Sequence, residues 1–243
     1  MSNPVVKPYN QSSKKEEVEQ MFDNIAHKYD FLNHFFSLGI DILWRKRAIR
    51  LIKKTQPKTI LDVATGTGDF AILTAKQYQE VDSITGIDIS EGMLEVGRKK
   101  IKEKSLDQKI AFKKADSEAL PYADAAFDAV TVAFGVRNFE NLEKGIAEMY
   151  RVLAKEGVIA IIEFSKPKKF PIKQLFGFYF KFIMPTIGNW LSKDSRAYTY
   201  LPESVEAFPE GEAFASILSK IGFSKVQIIP LSGGIASIYF ATK

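Results

Sequence analysis

The chain has 243 residues and no cysteine, which excludes disulfides, cysteine nucleophiles and thiolate metal sites. Hydrophobic residues make up 46% and charged residues 26%, enough for a full core. The net charge of +5 is mild, so no nucleic-acid partner is expected, and neither a metal site nor zinc-finger spacing is found.

The opening stretch, MSNPVVKPYNQSSKKEEVEQ, has no apolar leader core. No apolar run approaches the ~20 residues of a membrane-spanning helix. The expected location is therefore the cytoplasm. Residues 1–13 are polar and read as a disordered tail, followed by one domain over 14–243. Residues 14–56 form N-terminal helices. Val18, Met21, Phe22, Ile25 and Ala26 recur at helical spacing, and Asp41 is expected to cap a second helix carrying Ile42, Trp44, Ala48, Ile49 and Ile52.

After Pro57 strands and helices alternate. TILDVA, SITGID, KIAFKKAD, FDAVTVAFG and VIAIIEFS read as strands. DFAILTAKQY, EGMLEVGRKKIKEK and NLEKGIAEMYRVLAKEG read as helices, the last stopped by Gly157. Residues 166–203 interrupt the alternation as an insertion. GEAFASILSKIGF is then a helix, and KVQIIP and SIYFAT are strands close enough to pair antiparallel. Alternation of this kind implies a parallel sheet covered on both faces. An α/β chain with a mostly parallel seven-stranded sheet, an antiparallel C-terminal hairpin and N-terminal lid helices resembles the class I S-adenosylmethionine (SAM) methyltransferase fold, which is Rossmann-like.

ILDVATGTGDFA, from Ile60, contains Gly66, Thr67, Gly68 and Ala71 in the G-x-G-x-x-G/A spacing of a dinucleotide loop. Asp69 stands where a helix N-terminus would take a phosphate. SAM brings no phosphate; its sulfonium and ammonium suit acids such as Asp62 and Asp69. Asp88 ends the second strand about 20 residues on, where an acid holds ribose hydroxyls. Asp116, with the backbone at Ser117, is placed to receive the adenine edge. Singly, each is as readily a tight turn or a helix cap. At the ends of successive strands, together, they point to SAM.

Three stretches carry a more specific resemblance. Tyr29, Asp30, Asn33, Ser37, Gly39 and Trp44 fit YDxxNxxxSxGxxxxW. Phe134, Gly135, Arg137 and Asn138 fit FGxRN, and Arg151 to Pro167 fit RVLxPGGxxxxLEFSKP. Over residues 15–243 the chain resembles the ubiquinone/menaquinone biosynthesis C-methyltransferases. It departs from them with Lys155 and Glu156 before Gly157, with Ala133 for a serine, and with Asp116 for an asparagine.

The resemblance implies methyl transfer from SAM to a ring carbon of a polyprenylated hydroquinol. Demethylmenaquinol is favoured, with 2-methoxy-6-polyprenyl-1,4-benzoquinol of the ubiquinone pathway as the alternative. A phenol has an ordinary pKa near ~10, so its proton must be removed to make the ring carbon nucleophilic. Arg137 is the leading residue to stabilise the quinolate oxygen, with Asn138 orienting that oxygen or a relay water. Tyr29, Asp30 and His27 come next, and a salt bridge to Glu140 is the competing role for Arg137. The aromatics Phe170, Phe176, Phe178, Tyr179, Phe180, Phe182 and Trp190 suit either an isoprenoid tail at a membrane surface or a buried helix. A peripheral membrane contact and a homodimer are the further partners considered. Of other classes, a NAD-dependent reductase is disfavoured by Asp69, and a silent SAM-fold subunit by the intact acid and glycine set.

Overall fold

The computed structural model describes residues 6–37, 39–179, 182 and 196–243, with backbone alone at Lys28, 31–36 and 197–198. Two N-terminal helices, α1 (Lys14–Ser37) and α2 (Ile40–Lys53), precede the alternating body. That body runs β1 (Thr59–Val63), α3 (Asp69–Gln77), β2 (Ser83–Asp88), α4 (Glu91–Glu103), β3 (Ile110–Lys114) and β4 (Phe127–Ala133). A 3₁₀ turn (Val136–Asn138), α5 (Leu142–Val152), β5 (Leu153–Phe164) and α6 (Ile172–Phe178) follow. The chain closes with α7 (Arg196–Ala207), α8 (Glu212–Ile221), β6 (Ser224–Leu231) and β7 (Ala236–Thr242).

The strands form one sheet of order β3-β2-β1-β4-β5-β7-β6. β7 is antiparallel to both β5 and β6; the other neighbours are parallel. This is the expected class I methyltransferase architecture. Consecutive strand residues face opposite sides, so Ile60, Ala129 and Ala160 pack with α2, α3 and α4, while Leu61, Val130 and Ile161 pack with α5 and α8. β1, β2 and β4 run in register to one carboxyl edge, where Val63 lies beside both Ile87 and Val132.

Three local expectations are corrected. α5 ends at Val152, five residues before Gly157, because Leu153 is fully buried and pairs with Phe127 as strand. Asp41 does not cap α2: the cap is Gly39 at φ 73, and Asp41 is buried in an ion pair with Arg45. Residues 6–13 are not a free tail. The Glu17 carboxylate accepts four backbone N–H groups, from Tyr9 (2.5 Å), Asn10 (2.8 Å), Gln11 (2.5 Å) and Ser12 (2.7 Å). Burial pushes its pKa up, but the four donors outweigh that and hold it down at about 2. Residues 1–5 lie outside the described residues, as do Phe180 and Trp190 of the insertion.

Candidate active site

The carboxyl edge of the sheet carries a cleft of about 680 Å³, open solvent at its mouth included, lined among others by Gly66, Asp88, Met93, Asp116, Ser117 and Asn138. The strand-exit residues Ala64 (φ 51) and Phe134 (φ 60) hold left-handed backbone at its floor, a conformation that clusters at functional sites. Gly66 (φ +57) and Gly68 (φ +83) use glycine freedom, and at Gly68 a Cβ would meet the Phe112 ring at 2.3 Å.

Asp88 is the centre of the polar floor. Its carboxylate accepts from the Gly66 N–H (2.8 Å) and the Ser90 N–H (2.9 Å). Ser90, not Asp88, is the N-cap of α4. Burial raises the Asp88 pKa to about 6 against the pull of those donors. Two N–H donors leave lone pairs on the carboxylate for further donors.

Asp62 lies behind the loop, 1% exposed, accepting from the hydroxyls of Thr65 and Thr131 (2.6 Å each). Burial pushes its pKa to about 6. Thr67 and Asp30 are hydrogen-bonded to each other, and Lys100 gathers Asp30 (2.7 Å), Thr67 (3.1 Å) and Asp69 (2.5 Å). Asp69 is thus charge-paired, and the lysine beside the loop is engaged by acids instead of standing ready for a phosphate. The residues present fit SAM: acids and an open cleft at a glycine loop, with that cation already paired.

Asp116 and Ser117 line the far end of the cleft. Asp116 accepts from Lys15 (2.7 Å) and from the Glu118 N–H (2.9 Å). Burial raises its pKa, but these donors reverse the sign and leave it lowered. Lys15 belongs to α1, so this helix is tied down across that end of the cleft. Lys14 ties it again, donating to the carbonyls of Arg137 (2.8 Å) and Phe139 (3.0 Å). Desolvation, then repulsion from Arg137, lowers the Lys14 pKa to about 8. Asp23 closes the other side of the helix on Ser90 (2.6 Å) and Gly92 (3.0 Å).

Arg137 and Asn138 follow β4 on the rim. Asn138 lines the cleft; its side-chain oxygen accepts from the Tyr200 hydroxyl (3.2 Å). The Arg137 side chain turns behind the rim, 8% exposed, paired with fully buried Glu163 (2.9 Å) and stacked over Phe164. Glu140 is not its partner; it accepts instead from the Lys14 N–H (3.1 Å). Burial raises the Glu163 pKa against the opposing pull of Arg137. Tyr29 reaches the cleft beside Gly66, and desolvation pushes its phenol to about 12. Asp30 sits in the Lys100 network, and His27 is exposed.

Lys14, Lys15, Glu163 and Tyr200 escaped the sequence reading. Glu163 left one trace, an acid inside the otherwise apolar run VIAIIEFS; Tyr200 left none.

The chain is 53% identical over 239 residues to a demethylmenaquinone methyltransferase of Bacteroides fragilis, covering 98% of this chain and 97% of that one. It is 43% identical to a ubiquinone/menaquinone biosynthesis C-methyltransferase UbiE of Geotalea uraniireducens, covering 96% and 98%. Among solved structures, a putative SAM-dependent methyltransferase of Methanococcus maripaludis superposes with a TM-score of 0.61 at 22% identity, over 96% of this chain and 95% of that one, and carries the fold alone. The ubiE/COQ5 methyltransferase family matches residues 10–243, and the chain belongs to that family.

Proposed function

We infer that this protein methylates a ring carbon of a polyprenyl hydroquinol with SAM, and that demethylmenaquinol is its substrate. The observation that carries the reading is the full-length 53% identity to a relative named for demethylmenaquinone. The geometry supports it: one cleft joins an acidic end at Asp88 and Asp116 to a rim at Phe134, Asn138 and Phe139. SAM supplies an electrophilic methyl group on a sulfonium.

The roles of the chain's own residues follow from their surroundings. Asp88 accepts ribose hydroxyls, and Asp116 with Ser117 receives the adenine edge. Tyr29, kept protonated at neutral pH by its raised pKa, is a hydrogen-bond donor and not a base. Arg137, oriented by Glu163, sets a positive potential at the rim, and Asn138 meets the quinol oxygen. Stabilising the oxyanion lowers the cost of losing the phenolic proton, which leaves to water. The α1 lid, pinned by Lys14 and Lys15, keeps solvent from the reacting carbon.

Past the rim the chain presents exposed Phe170 (81%), Leu175 (65%), Phe178 (57%) and Phe182 (53%), among exposed Lys168, Lys169 and Lys173. Apolar anchors with basic neighbours suit an anionic membrane surface, from which a long-tailed quinol is drawn. No helix among the described residues is long and apolar enough to cross a membrane.

The test is product mass after incubation with SAM and a demethylnaphthoquinol under reducing conditions. One added methyl on the ring is expected. Methylation of a 2-methoxy-6-polyprenylbenzoquinol alone would move the assignment to the ubiquinone pathway.

A further inference from the structure

Tyr200 sits where three parts of the molecule meet. It lies on α7, one turn after Arg196, which fixes the start of that helix on the Pro8 carbonyl (2.5 Å) and on Glu203 (3.0 Å). Tyr200 is 2% exposed and packs with Val18 and Met21 of α1. Its hydroxyl donates to the side-chain oxygen of Asn138 on the rim (3.2 Å). Asn138 lines the cleft; Tyr200 stands behind it and does not.

The bonds around the Asn138 amide leave it one orientation. Its nitrogen faces the Phe134 carbonyl, which also accepts an Nη–H of Arg137. A carbonyl cannot donate, so turning the amide over would set two oxygens against each other. The Asn138 oxygen therefore belongs on the Tyr200 side, with the tyrosine as donor. Burial raises the Tyr200 phenol well above its ordinary pKa, so that donor keeps its proton at neutral pH. The Phe134 contact is long, 3.4 Å, and is a weak lock by itself. The Tyr200 bond is the stronger hold. An asparagine amide has two N–H groups. One is spent on Phe134, and the second has no acceptor among the described residues. That second N–H is what Asn138 can offer a ligand in the cleft. Released from Tyr200, the amide is free to turn its oxygen inward, where it would repel a phenolate.

We propose that Tyr200 is a positioning residue for methyl transfer, holding Asn138 so that an amide N–H, and not the amide oxygen, meets the hydroquinol oxygen. The proposal rests on the reading of the cleft as a quinol C-methylation site. A donor set in place before the substrate arrives needs no reorganisation as negative charge develops on that oxygen. It also gives α7, which follows the insertion, a part in turnover that Tyr200 exerts through a residue 62 positions earlier.

The experiment is a double-variant cycle in the full chain, with a demethylnaphthoquinol as substrate and kcat measured against pH at saturating SAM. Tyr200→Phe keeps the ring and deletes the donor. It should lower kcat by roughly 2- to 12-fold, the range of one net hydrogen bond, and move the pH–rate profile alkaline, with SAM affinity unchanged. Asn138→Ala should lower kcat by roughly 10²–10³. Adding Tyr200→Phe to Asn138→Ala should alter kcat by less than about twofold, because the group it positions is gone. Wild-type kcat in Tyr200→Phe would overturn the proposal. So would equal fractional losses in the two backgrounds, or a lowered melting temperature with an unmoved pH profile; either makes the tyrosine a packing residue. Full turnover in Asn138→Ala would take Asn138 out of the reaction, and Tyr200 with it, while leaving the quinol assignment standing. Failure of the wild-type protein to methylate the quinol would overturn that assignment itself, and this proposal with it.

Discussion

The two halves of the carboxyl edge are built from different materials. On the side of β1, β2 and β3 the floor is acids held by hydrogen bonds: Asp88 on Gly66 and Ser90, Asp116 on Lys15, Asp69 on Lys100. α1 lies across it, pinned through Lys14, Lys15 and Asp23. On the side of β4 and β5 the rim is aromatic, with Phe134, Phe164 and Trp44 clustered, a buried Arg137–Glu163 pair, and beyond it a segment of exposed phenylalanines. The first half suits a polar, cationic ligand with fixed hydroxyls. The second suits an apolar ligand whose one demand is a place for negative charge. A methyl transfer between SAM and a quinol needs both on one cleft, and it predicts that mutations will sort by half: affinity for SAM on one side, turnover of the quinol on the other.

The largest expected effect tests the rim. Arg137→Ala should lower kcat by roughly 10²–10³, as for loss of the preorganised charge that sets the positive potential behind Asn138, with SAM affinity within about twofold of wild type. Its pH–rate profile should move alkaline, since ionising the phenol becomes harder. Arg137→Lys keeps the charge without the planar fork and should retain partial activity. Loss of SAM binding together with melting temperature would instead make Arg137 a structural ion pair with Glu163 and break the division.

Next is the polar floor. Asp88→Ala should cost about 1.5–3 kcal/mol of SAM binding, on the order of 10- to 150-fold in Kd, with kcat at saturating SAM little changed. The pH dependence follows from its raised pKa. The carboxylate predominates above about 6, so SAM affinity should fall as pH drops through about 6, and Asp88→Ala should flatten that profile. Apoprotein stability runs the other way. The folded state binds this proton more tightly than the unfolded chain, whose ordinary value is 3.8, so the contribution is largest in acid and is lost as pH rises through about 6.

A smaller effect concerns the N-terminal strap. Glu17→Gln keeps one good acceptor where four N–H groups converge. Amide exchange at Tyr9, Asn10, Gln11 and Ser12 should accelerate by about tenfold, one hydrogen bond to a charged group. The Glu17 pKa is depressed from 4.5 to about 2, so its stabilisation is present above 4.5 and lost as pH falls toward 2. Exchange unchanged in the variant would show the strap held by other contacts, such as Arg196 on the Lys7 and Pro8 carbonyls.

The smallest effect tests the exposed segment. Lys173→Ala should weaken binding to anionic liposomes by about 1 kcal/mol, roughly fivefold, and raised salt should erase the difference. Phe178→Glu should reduce liposome binding and hurt long-tailed quinols more than a tail-less one. Equal loss on both substrates would return the segment to a packing role.

What the sequence determined by itself was local and periodic. Alternating strands and helices, the reach of antiparallel pairing across Ser232–Ala236, and acids at the ends of successive strands are written in spacing, and spacing survives folding unchanged. Ala64 to Gly68 and Asp88 could be placed on one edge because parallel strands end together. Tertiary structure decided which side chains meet across long sequence distances. Glu163 lies 26 residues from Arg137 and Tyr200 lies 62 from Asn138, so no motif could pair them. Asp69 looked like an open acid until α4 brought Lys100 to it from 31 residues away. The end of α5 at Val152 was likewise set by the sheet: Leu153 fits the core as a strand residue, and that burial outweighed the helix stop suggested by Gly157. Partners chosen by burial and charge across the whole chain are fixed by packing, which no window of sequence contains.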